Sequence, residues 1–122
     1  MIEHPFVRMA CAVGAGIFVA GSSWAGDPTR GKTLYLGCQA CHSIDDNDVG
    51  PRHRGVVGRR AGSVEDYHYS QALKDSGLTW DAGTLDRWLA NPSALVPGTK
   101  MFFKIDDAKD RADIIAYLAE LR

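Results

Sequence analysis

Sulfur is scarce in this chain: of 122 residues, three are cysteine and three are methionine. An excess of charge of either sign is also missing. The formal net charge of −1 excludes the basic footprint that nucleic-acid binding or adhesion to a strongly anionic membrane requires. The length of 122 residues leaves room for one compact domain and not two. No stretch alternates polar and apolar residues for long enough to predict a strand, which excludes the sheet-based fold classes. Internal repeats and low-complexity tracts are absent as well. What remains is ordinary globular composition, 45% hydrophobic and 24% charged. A domain this small has a modest core and gains from a staple such as an enclosed cofactor.

The first 25 residues are expected to be an export signal. Arg8 ends a short polar start, an uncharged run of small residues follows, and Ser23 and Ala25 are the small residues a signal peptidase reads. Glu3 departs from the usual positive start. The alternative is a retained anchor. Residues 9–26 are uncharged over 18 positions, which just reaches the length of a membrane span, but glycines and serines make it a poor one. Cys11 precedes most of the apolar run and is badly placed for a lipid anchor. Cleavage after Ala25 would leave residues 26–122 with two cysteines (Cys38, Cys41), one methionine (Met101) and three histidines (His42, His53, His68). Loss of Arg8 and Glu3 together keeps the net charge at −1.

Helical signals recur along the rest. Asp27-Pro28 suits a helix start, since Asp accepts from free backbone N–H groups and Pro fits the first turn. That helix is predicted to run to about Gly37. Residues 43–65 are rich in Asp, Gly, Pro and Arg and predict a loop. Ser70 can cap a short helix over 71–76 that stops at Gly77. Asp81 can cap another that ends before Pro92, with Leu85, Trp88 and Leu89 on its apolar face. Residues 93–104 predict a loop around Pro97-Gly98. A last helix starts at Asp106 or Asp107, with Ile114, Ile115, Leu118 and Leu121 at helical spacing. The expected fold is all-α with long loops, and long loops in a small domain usually enclose something or act.

Cys38-Gln39-Ala40-Cys41-His42 carries the chemistry. Two thiols at this spacing can add to the two vinyl groups of one haem, and the adjacent histidine can then ligate iron. Three other uses of the pair fit less well. A dithiol redox enzyme wants strand–helix alternation. A structural zinc site wants a second compact ligand pair, which His53 and His68 do not form. A disulfide across two intervening residues is sterically awkward. A second axial ligand is offered by Met101, which follows the Pro97-Gly98 turn and precedes Phe102-Phe103. His53 and His68 are rivals, because any imidazole can ligate. A thioether raises the reduction potential, and His/Met is the pair associated with electron-transferring haem proteins.

At this point the chain resembles the class I c-type cytochromes, that is, mitochondrial cytochrome c and its small soluble bacterial relatives. The matching runs are Gly31-Lys32-Thr33-Leu34-Tyr35, Cys38 to His42, Gly50-Pro51, Gly55-Val56-Val57-Gly58-Arg59 and Tyr67-His68-Tyr69-Ser70. They continue in family order through Gly77-Leu78-Thr79-Trp80, Leu89-Ala90-Asn91-Pro92, Pro97 to Met101 and Ile114-Ile115-Ala116-Tyr117-Leu118. The resemblance implies a single domain over 26–122 of about four to five helices, wrapped around one covalently bound haem c. It implies that the Pro51 carbonyl accepts from His42, that Arg59, Tyr69, Trp80 and Thr99 hold the propionates, and that His42 and Met101 ligate iron. It also implies that Gly31 and Tyr35 meet Ile114 and Tyr117 where the first and last helices cross.

Departures from the family pattern sharpen the expectations. His53 stands where the family usually has leucine against the haem; facing inward it could compete for iron or tune its potential. Leu73 and Trp88 replace the polar Asn and Tyr of the mitochondrial proteins near the methionine, which predicts a drier Met101 pocket. The loop from His42 to Gly50 is short. Most of the lysine ring around the mitochondrial haem edge is replaced, here by Gly37, Ser93, Ala94 and Asp106, leaving mainly Lys100 and Lys104. A basic cluster survives at Arg52, Arg54, Arg59 and Arg60, Arg59 being expected to act internally.

The expected function is that of a monomeric, diffusible periplasmic one-electron carrier, with neither nucleic-acid binding nor stable membrane insertion of the mature form. Its partners would be a quinol-oxidising complex and a terminal oxidase or reaction centre, or a periplasmic dehydrogenase. The alternative is a haem enzyme or gas binder of peroxidase type, which needs an open sixth position.

Overall fold

The computed structural model describes residues 11–16 and 26–122. The expected export signal lies outside the described residues except for 11–16, which are exposed and without secondary structure.

Helix α1, Pro28–Leu34, begins at Asp27, whose carboxylate accepts from the backbone N–H groups of Thr29 and Arg30. It tightens into a 3-10 turn, Tyr35–Cys38, which delivers the first cysteine. Helix α2, Gln71–Asp75, is capped by the Ser70 hydroxyl. Helix α3, Ala82–Ala90, starts with a reciprocal box in which the Asp81 carboxylate accepts from Thr84 N–H and the Thr84 hydroxyl accepts from Asp81 N–H. Helix α5, Ala108–Glu120, is capped by Asp107, not Asp106. Among the described residues there is no strand, only an isolated antiparallel bridge between Arg60 and Thr79. The all-α expectation holds.

One element departs from expectation. Residues 93–95, the start of the predicted loop over 93–104, belong to helix α4, Pro92–Leu95. Asn91 both closes α3, donating its backbone N–H to Arg87, and caps α4, its side chain accepting from Ala94. Pro92 occupies the first turn, where its missing N–H costs nothing.

The frame is set where α1 crosses α5. Gly31 is buried, and any Cβ there would collide with the Asp113 carbonyl of α5. Tyr35 is 1% exposed and packs on Tyr117, ring centroids 5.3 Å apart. Beside them the Asp113 carboxylate, also 1% exposed, accepts from Asp27 N–H at 2.8 Å, Arg30 Nη1 at 2.7 Å and Lys109 Nζ at 2.9 Å. These donors hold its pKa well below the usual carboxylate range, Arg30 contributing most. Helix α3 packs its Leu85, Trp88 and Leu89 into the same core as Ile114, Ile115 and Leu118. The loop between the 3-10 turn and α2 is tied down rather than free: His53 N–H donates to Ser43, Arg54 N–H to Ile44, Gly55 N–H to Leu121, and Gly58 N–H to Trp80. No helix among the described residues is long and apolar enough to cross a membrane.

Candidate haem site

The helices and this loop enclose a cavity of about 490 Å³, within the range of cofactor pockets. Cys38 and Cys41 lie at one edge, Cys38 half-buried and Cys41 exposed. Burial pushes the Cys38 thiol up. A dithiol redox enzyme needs the opposite, a thiol made acidic by its surroundings, so the geometry counts against that use of the pair.

His42 follows at once and also lines the cavity. Its N–H donates to the Cys38 carbonyl at 2.9 Å, so the turn itself fixes where the ring starts. The ring Nδ1 is 2.8 Å from the Pro51 carbonyl, which can only accept; Nδ1 therefore carries the proton and Nε2 keeps its lone pair. Burial pushes His42 down, which favours the neutral form a metal requires. Gly50 lies directly under the ring, where a Cβ would strike all three of its distal atoms. The Gly50-Pro51 pair thus acts twice on one imidazole, by close approach and by hydrogen bond.

Met101 lines the same cavity, half-buried, beyond the Pro97-Gly98 turn and the buried Thr99. Leu73 and Trp88 are both buried in the lining, which fits the expectation of a drier pocket. His68 is exposed and does not line the cavity. His53 does line it, turned inward. Its ring stacks on His42, centroids 3.9 Å apart and planes 20° off parallel. An imidazole so placed sits beside His42 on the same side of the cavity, and cannot ligate a haem iron from the face opposite His42.

Arg59, Tyr69, Trp80 and Thr99 all reach the lining. A backbone bond joins two of them, Trp80 N–H donating to the Arg59 carbonyl at 2.9 Å, and beside it Ala61 N–H donates to the Leu78 carbonyl at 2.8 Å. The Arg59 guanidinium donates to the carbonyls of Arg52 at 2.8 Å and Arg54 at 3.3 Å. Among the described residues it has no carboxylate within 4.0 Å, and burial pulls its pKa down. A half-buried cation without a counter-ion, facing a cavity, is matched by a propionate. The Tyr69 hydroxyl accepts from Val64 N–H at 3.1 Å and keeps its own proton to donate. Ser70, read from sequence only as a helix cap, also lines the cavity; its oxygen accepts from Leu73 N–H at 3.1 Å, leaving its O–H free as a donor. The residues present therefore fit a haem: thiols at the edge, a neutral imidazole, a thioether, and cationic and hydroxyl donors around an otherwise apolar wall.

The rim is apolar. Phe102 is 73% exposed, Phe103 53%, and Val49 is exposed beside them. Of the two remaining lysines, Lys100 donates to the His68 carbonyl at 3.3 Å. Two of the four arginines of the loop's basic cluster are ion-paired: Arg52 with Asp66 at 3.0 Å and Arg54 with Asp45 through two nitrogens. Internal use was expected of Arg59 alone; the ion pairs of its neighbours depend on loop folding that spacing does not reveal.

Residues 28–122 match the family described as Cytochrome c. The chain is 47% identical over 117 residues to a cytochrome c2 of Rhodomicrobium vannielii, covering 93% of this chain and 94% of that protein. Among solved structures it is similar to cytochrome cH from Methylobacterium extorquens, 50% identical with a TM-score of 0.76, covering 78% of this chain and 99% of that one. The ferricytochrome c2 of Rhodopseudomonas palustris superposes with a TM-score of 0.75 at 36% identity, covering 79% of this chain and 99% of that one. The chain therefore belongs to the cytochrome c family, whose members carry covalently bound haem c, and is an electron carrier rather than an enzyme.

Proposed function

We propose that this protein is a periplasmic, monomeric one-electron carrier with a single His/Met-ligated haem c. The Cys38 and Cys41 thiols would hold the haem through thioether links to its two vinyl groups, and His42, through Nε2, and Met101, through sulfur, would hold its iron. When bound, the haem supplies reversible one-electron iron chemistry.

The chain's own residues make that transfer easy. The Pro51 carbonyl fixes the tautomer of His42, and Met101 follows the Pro97-Gly98 turn and packs against the core. With both iron ligands supplied by the protein, a change of oxidation state would require little rearrangement. Arg59 and the hydroxyls of Tyr69, Ser70 and Thr99, with the Trp80 indole, would pair the propionates. Phe102, Phe103 and Val49 leave an apolar rim through which an electron can pass to a docked partner. That partner would be a quinol-oxidising complex and an oxidase or reaction centre, or a periplasmic dehydrogenase.

The observation that supports this reading best is the single cavity lined by both His42, with only Nε2 available, and Met101. The enzyme or gas-binding alternative requires a vacant sixth position. Carbon monoxide added to the reduced protein at neutral pH separates the two. Negligible binding by the wild type and rapid binding by Met101→Ala is the expected result. Rapid binding by the wild type would transfer the case to the alternative.

A further inference from the structure

His53 is held in place too firmly for a space-filling side chain. Its ring is stacked on His42 at 3.9 Å, and its Nδ1 is hydrogen-bonded to the Tyr35 hydroxyl at 2.8 Å. Its backbone N–H donates to the carbonyl of Ser43, the residue next to His42, at 3.1 Å. Tyr35 cannot swing away, being 1% exposed and packed on Tyr117 of α5. The ligand ring is therefore restrained from two directions: the Pro51 carbonyl takes its Nδ1–H, and the His53 ring covers one face. A single hydrogen bond allows an imidazole to rock about that bond; a stacked second ring removes this freedom. The second ring is itself locked to the crossing of α1 and α5 through Tyr35.

We infer that His53 is a positioning residue for the haem: pinned by Tyr35, it sets the plane of the His42 ring at the iron and, as a polar neighbour, tunes the potential. The reasoning rests on His42 being an iron ligand, as proposed above. Groups around a ligating histidine fix its orientation and tune the metal it binds. The oxidised site carries one more positive charge than the reduced one, so an adjacent dipole shifts the balance between them in a sense set by its orientation, where an aliphatic side chain does not.

The test uses the holoprotein and two variants, His53→Leu and Tyr35→Phe. The ligand plane is read from the spread of haem-methyl proton shifts in the oxidised protein, and the tuning from the midpoint potential. His53→Leu should redistribute the methyl shifts and displace the potential from the wild-type value, and Tyr35→Phe should move both the same way by less. Both variants should keep the sulfur-to-iron charge-transfer band. Wild-type methyl shifts and potential in His53→Leu would reduce His53 to packing and overturn the inference. If that variant does not yield holoprotein, Tyr35→Phe decides alone, and wild-type values there overturn it equally. Absence of the charge-transfer band in unmutated protein is a different failure, that of His/Met ligation.

Discussion

Gly50 lies against the His42 ring so closely that no side chain fits between them. An imidazole is rigid and cannot bend out of the way, so Gly50→Ala must move the ring or the main chain. Overpacking of this kind costs about 1–3 kcal/mol. The variant is expected to give less holoprotein and a lower Tm, measured by haem absorbance during thermal unfolding; wild-type yield and Tm would show that the loop yields freely. Tyr35 is a second residue whose setting decides its chemistry. Burial pushes its phenol up to about 12, so the hydroxyl remains protonated and available to His53 across the physiological range. At this scale the proposed attachment residues stand out in sequence, because adding two thiols to one haem edge beside a ligating histidine would demand a fixed spacing. The inward stacking of His53 does not, since whether a loop residue faces in or out depends on bonds such as His53 to Ser43 that link distant positions.

The crossing of α1 and α5 is the element that the rest depends on, because it positions the 3-10 turn bearing Cys38. Gly31→Ala would drive a methyl into the Asp113 backbone, which cannot rotate aside. A loss of about 1–3 kcal/mol is expected, seen as a Tm lowered by several degrees; an unchanged Tm would mean the helices can separate at no cost. The same crossing gives a pH dependence. The pKa of Asp113 is depressed in the folded protein, so the carboxylate contributes stability above its unfolded value of about 3.9 and loses it as pH falls through its folded value. Thermal melts between pH 7 and pH 2 should show wild type well above Asp113→Asn at neutral pH, the gap narrowing below about pH 4. A gap of constant size would remove Asp113 from the acid transition. The start of α5 was readable from sequence to within one residue, but α4 was not. A single turn of Pro92–Leu95 has no room for hydrophobic periodicity, and Asn91 closes one helix while opening the next.

Across the whole molecule, the surface decides the partner. The rim of Phe102, Phe103 and Val49 is apolar, and with Arg52 and Arg54 ion-paired the positive charge near it is mainly that of Lys100 and Lys104, a small steering field. Electron transfer with the native partner should therefore lose only a few-fold in rate between low and physiological salt, as stopped-flow measurement would show. A steep loss would point to a charged docking face. The all-α enclosure of a cofactor was visible in sequence from helix caps separated by long loops. The ion pairing of Arg52 and Arg54 was not, because Asp45 and Asp66 reach their arginines only after the loop has folded.

The central claim is that one cavity holds a haem iron between His42 and Met101. The optical spectrum of the oxidised protein, recorded for wild type and Met101→Ala, tests it most directly. A sulfur-to-iron charge-transfer band present in wild type and absent in the variant is the predicted result. A wild type without that band, or a Met101→Ala protein that retains it, would contradict the account.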